Sequence, residues 1–180
     1  MLLSAKTIKE GIIIGFIGYA SVALLYVFFD IIAARGLLFT VDILGKALFR
    51  GLLDPLAMAE PAALDLEAIF WYNIFHLVTA LIIGLLVISF VDLTDRKPSQ
   101  GQFILFTLFL GFVITVVVVS FLTSPISDFL PWWSVIIANS ISVVCSSYYL
   151  FKKHPGIGPH LLYLLAKISA FPFKNKPPLD

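Results

Sequence analysis

Residues 101–122, GQFILFTLFLGFVITVVVVSFL, contain no charged side chain. A helix of about 20 apolar residues spans the roughly 30 Å hydrocarbon core of a bilayer, and within lipid it satisfies its own backbone hydrogen bonds. Runs of this kind recur at 11–34, 66–91, 101–122 and 132–151, leaving little chain for a soluble domain. Composition agrees: 60% of residues are hydrophobic and 13% charged, with a mean hydropathy of +1.02, whereas soluble domains carry about 25% charged residues. The predicted fold is an all-α membrane protein, a single bundle of four transmembrane helices over residues 1–180.

Lys6 and Lys9 before the first run invite comparison with an export signal. Such a signal has an apolar stretch of about 7–15 residues and a small-residue cleavage site. The run from residue 11 is longer, and Ala33-Ala34-Arg35-Gly36 is a poor site, so a retained first helix is expected. Basic residues set the orientation. One side holds nine (Lys6, Lys9, Arg96, Lys97, Lys152, Lys153, Lys167, Lys174 and Lys176) and the other three (Arg35, Lys46 and Arg50). Both termini are therefore expected in the cytoplasm, with Trp71, Tyr72, Trp132 and Trp133 at the outer boundary. A soluble basic face of the kind that binds nucleic acid is missing.

Two connectors read as interfacial helices. In 40–53, Val41, Leu44, Leu48 and Leu52 form one face, while Asp42, Lys46 and Arg50 form another suited to exposed ion pairs. Thr40 is the expected N-cap, and Asp54-Pro55 the expected stop. Residues 160–171 suggest a second such helix on the cytoplasmic side, followed by an extended basic tail at 172–180. No internal repeat suggests a transporter of paired inverted halves.

The polar groups inside the runs are the candidate site. Asn73, His76, Ala80 and Gly84 share one sector of the second run. Gly11, Gly15 and Gly18 offer a small-residue face on the first, which lets a neighbouring backbone approach. At a rise of 1.5 Å per residue, His76 and Asn139 lie about 10 Å inside the outer boundary, with Asp30 near the outer end of the first run. Asp30, Asn73, His76 and Asn139 are thus a candidate buried polar cluster, in which an Asp30–His76 pair would relay a proton or hold a metal. In the competing reading, His76 is neutral and bonds a neighbouring helix, while Asp30 sits beside Arg35 at the interface. Bis-histidine haem needs a second histidine at the same depth. His154 and His160 lie beyond the other end of the bundle, where they are expected to meet water or lipid headgroups. Cys145 lacks a disulfide partner, and no nucleophile–base, phosphate-loop or H-E-x-x-H motif occurs.

ARGLLFTVDILGKALF together with YNIFHLVTALIIGLL resembles small uncharacterised bacterial membrane proteins. These pair an arginine and Leu-Phe-Thr after helix one with a histidine early in helix two. The resemblance covers residues 15–90 and departs at Val41, where such proteins often have proline. It implies a four-helix protein of the bacterial inner membrane and brings no active site. The expected function is a non-catalytic accessory or scaffold subunit of a larger, energy-transducing membrane complex, respiratory or photosynthetic. Its partners would be other integral subunits and lipids, with no intrinsic cofactor. The alternative is a redox or ion-handling protein that binds a metal, quinone, shared haem or proton through Asp30 and His76.

Overall fold

The computed structural model describes residues 4–51, 64–97, 101–155 and 166, and the described residues are helical with no strand. The expected interfacial helix at 160–171 (Ala166 excepted) and the tail at 172–180 lie outside them, as does the Asp54-Pro55 stop. Among the described residues five α-helices follow in order: α1 Ala5–Ile32, α2 Phe39–Phe49, α3 Leu66–Arg96, α4 Gly101–Leu122 and α5 Trp132–Lys153. A short 3-10 turn, Ser124–Ile126, separates the last two. Among the described residues, α1, α5 and residues 66–94 of α3 are long and apolar enough to cross a membrane.

α1 begins six residues before its apolar run. The Ser4 hydroxyl accepts a hydrogen bond from the Thr7 amide at 3.1 Å, so the helix is capped in its polar lead-in. It stops where Ala34 (φ 54°) and Gly36 (φ 90°) take left-handed backbone conformations. For alanine this conformation is strained, by about 1–2 kcal/mol. α3 is capped in the same way as α1, with the Asp65 carboxylate accepting from the Ala68 amide at 3.0 Å.

α1 and α3 run antiparallel and form the principal packing pair, with α5 on another side of α1. A Cβ placed on Gly15 would lie 2.6 Å from the Ala80 carbonyl oxygen, and one on Gly84 would collide with the backbone of Gly11 and Gly15. Only hydrogen fits at these positions, so the two backbones meet directly. Gly11 faces Leu85 and Ile88 on the same seam, whereas Gly18 points to Ser142 of α5. Below the seam, Ile14, Ile88, Val91 and Leu150 form one apolar core. Ile43, Ile126, Leu130 and Val135 form another at the opposite end. α4 sits at the edge against α5 and α3, presenting Phe103, Phe106, Phe109 and Phe121 outward.

α2 corrects the expectation for the first connector in two respects. Its Thr40 amide is capped from α1 by Asp30, with no cap from the Thr40 side chain, and Asp42 and Lys46 of its charged line turn inward while Arg50 stays exposed. Asp42 is buried, and its ion pair with Lys46 (2.6 Å) leaves the two side chains only 9% and 13% exposed. Leu37, Leu38, Leu48 and Phe49 face outward instead. For a helix beside lipid this orientation is favourable, because charges are costly in hydrocarbon and stay paired within protein. Gly45 permits the approach, since a Cβ there would stand 2.6 Å from the Ala68 carbonyl oxygen. The helix ends at Phe49, and Gly51 just beyond it takes a left-handed backbone conformation (φ 62°).

Candidate functional site

Asp30, in the last turn of α1, is 2% exposed. The turn over Ala33–Leu38 brings the start of α2 back onto it. Its Oδ2 accepts from the Thr40 amide at 2.8 Å and its Oδ1 from the Thr40 hydroxyl at 2.6 Å. A carboxylate at a helix N-terminus satisfies an orphan amide and faces the positive end of the helix dipole. The Arg35 guanidinium, expected beside Asp30, instead donates to the Phe129 carbonyl at 3.2 Å and lies over the Phe39 ring.

One to two turns into α3, Asn73 accepts a hydrogen bond from the Tyr19 hydroxyl at 2.8 Å and donates its own amide to the Ile69 carbonyl at 2.8 Å. The His76 ring packs against Tyr19 (centroids 5.1 Å apart) and Tyr72 (5.9 Å). Tyr19, Asn73 and His76 therefore form one aromatic and polar cluster between α1 and α3. Asn139 stands apart from it, donating to the Val135 carbonyl of its own helix at 2.8 Å. Among the described residues no hydrogen bond joins Asp30, His76 and Asn139 to one another, and no group of three His, Cys, Asp or Glu side chains could hold a metal. None reaches the His76 imidazole either. A neutral imidazole has one N–H to donate and one lone pair to accept or ligate, and that is the chemistry His76 can offer.

Two polar ties escaped sequence reasoning. Near the start of α3, the Asp42 carboxylate accepts from the Asp65 amide at 2.9 Å. Arg50 reaches Asp65 at 2.8 Å and Glu67 at 2.6 Å, so α2 is clamped to α3 at its far end. The hydrogen bond from Arg50 and then the Ala68 amide hold the Asp65 carboxyl down to about 2. The same two carboxylates raise the Arg50 guanidinium further above its ordinary range.

The other tie lies at the opposite end of the bundle. His154 Nε2 stands 3.0 Å from the Glu10 carboxylate, and Glu10 is 8% exposed. This corrects the expectation that His154 would meet only water or headgroups. Glu10 is in the second turn of α1 and His154 caps the C-terminus of α5, so the contact latches the two helices. Its only sequence signal was an acid among lysines on a helix face otherwise suited to packing. The polar groups of the bundle thus mark its helix junctions: Asp30 for α1–α2, Tyr19–Asn73 for α1–α3, Arg50 for α2–α3 and Glu10–His154 for α1–α5. Comparison of this chain with family models, with curated proteins and with solved structures finds no match.

Proposed function

We propose that this chain is a non-catalytic, integral subunit of a larger membrane assembly, energy-transducing in type. It crosses the bacterial inner membrane four times with both termini in the cytoplasm. The observation that carries this reading is the division of labour among its side chains. Asp30, Asn73, Asp42 and Glu10 are engaged within the chain, while large apolar residues cover its outside, from Phe16, Leu24 and Phe28 on α1 to the phenylalanine face of α4. α4 supports it further, because a helix at the bundle edge is free to seat against another transmembrane subunit. A photo-crosslinking amino acid at Phe106 tests this in native membranes. Crosslinking to one defined membrane protein is expected; adducts to lipid alone contradict the reading.

A second reading has one observation in its favour, the His76 imidazole with no hydrogen-bond partner among the described residues. A polar group in hydrocarbon costs several kcal/mol when unsatisfied, on the order of 2–7, and a quinone carbonyl, a metal or haem shared with another chain would satisfy it. That reading predicts a cofactor spectrum or bound metal that disappears in His76→Ala and persists in Asn139→Ala.

A further inference from the structure

The latched end of α1 and α5 carries more than the latch. Lys6 and Lys9 stand in the first turns of α1, and Lys152 and Lys153 in the last turn of α5. The Glu10–His154 contact (3.0 Å) joins these two helix ends. With a rise of 1.5 Å per residue, all four lysines lie within about one helical turn of that contact along the axes. All four are exposed, and among the described residues none has an ion-pair partner. The acid at this level of the two helices, Glu10, is buried and occupied by His154. On α3, Asp92 is paired with Arg96 at 2.8 Å, and Lys97 adds another exposed cation. Among the described residues, Lys6, Lys9, Lys152 and Lys153 thus form a positive patch with no ion-pair partner.

Directly along the same helices lie exposed apolar side chains, Ile8 and Ile12 on α1 and Val144, Tyr148 and Phe151 on α5. A cationic rim above an apolar wall matches an amphiphile with a negative head and hydrocarbon tails. We infer that the α1–α5 end binds anionic phospholipid: the headgroup phosphate is held among Lys6, Lys9, Lys152 and Lys153, and the acyl chains lie along the apolar wall. The Glu10–His154 latch is the positioning element, since it engages the Glu10 carboxylate and holds the two lysine pairs at one level. The inference rests on α1 and α5 crossing a membrane and not on the subunit reading, so a chain that purifies alone leaves it intact.

The test uses the full 180-residue chain in mild detergent, offered equimolar phosphatidylglycerol and phosphatidylcholine of the same acyl composition, with retained lipid counted by native mass spectrometry. Phosphatidylglycerol is expected to be retained preferentially. A lysine near a charged bilayer surface contributes about 1 kcal/mol, so each single change to glutamine should lower that preference about fivefold. The combined variant K6Q/K9Q/K152Q/K153Q should abolish it, and the corresponding four-arginine variant should keep it. Excess inorganic phosphate should leave it unchanged, because phosphate lacks the apolar half of the ligand. Equal retention of the two lipids by the unaltered chain overturns the inference. So does a preference that survives in the four-glutamine variant or is competed away by phosphate.

Discussion

Replacing Gly84 by alanine tests the packing of α1 on α3 with one methyl group. The added Cβ would collide with the Gly11 carbonyl oxygen and the Gly15 amide nitrogen, both backbone atoms that cannot rotate away. Ordinary contact starts near 3.4 Å, so the helices must part by about 1 Å. A gap of about 0.5–1 Å forfeits a quarter to a half of each contact's well, which is about 0.1–0.2 kcal/mol per atom pair. Over several tens of pairs along the seam the loss is about 2–3 kcal/mol. Alanine returns about 1 kcal/mol through its better helix propensity, leaving a net destabilisation of about 1–2 kcal/mol. Gly111 of α4 is the matched control, because a Cβ there meets nothing within 4 Å, and Gly111→Ala should be neutral or stabilising by up to about 1 kcal/mol. Unfolding by sodium dodecyl sulfate in mixed micelles, followed by tryptophan fluorescence, should separate the two midpoints in that order. Coincident midpoints, or a more stable Gly84→Ala, would refute the close-contact argument.

Asp30→Ala strands the buried Thr40 amide and should cost about 1–3 kcal/mol. It should also expose the α1–α2 turn to limited proteolysis, whereas Arg35→Ala should do neither. Tyr19→Phe removes the hydroxyl that bonds Asn73 and should cost about 0.6 kcal/mol, the average for bonds between membrane helices, measured in the same micellar titration. The α2–α3 clamp should weaken in acid. Asp65 is held down from 3.8 to about 2 by Arg50 first, so its contribution is fully present above pH 3.8 and is lost as pH falls through 2. Hydrogen exchange at the start of α3 should rise over that interval, and Arg50→Gln should flatten the dependence. Because this pair is exposed, added salt should flatten it too.

The long helices were legible because bilayer thickness fixes how much apolar sequence a spanning helix needs. The runs at 66–91 and 132–151 each begin where a helix begins, and α3 and α5 continue past their runs because polar residues extend a helix beyond the apolar core. The run at 101–122 is helical as well, but among the described residues only α1, α3 and α5 are long and apolar enough to span. The small-residue sector was also legible, since Gly11, Gly15, Ala80 and Gly84 meet across α1 and α3. What escaped was the identity of polar partners. Asp30 and Thr40 are ten residues apart, and their bond depends on a reversal through Ala34 and Gly36 that no periodicity encodes. Glu10 and His154 are 144 residues apart and meet only through helix packing. The orientation of α2 was misread for another reason: a helical wheel separates the charged face from the apolar one but does not say which faces protein when the surroundings are lipid.

The mass of the particle extracted from native membranes in mild detergent decides whether this chain is a subunit. As a subunit, the 19.9 kDa chain should run in one defined complex with other integral membrane proteins at fixed stoichiometry, and Phe106→Ala on the outer face of α4 should loosen that complex while leaving the isolated chain folded. A monodisperse particle containing this chain alone, unchanged by gentler extraction or by crosslinking before lysis, would contradict the subunit reading.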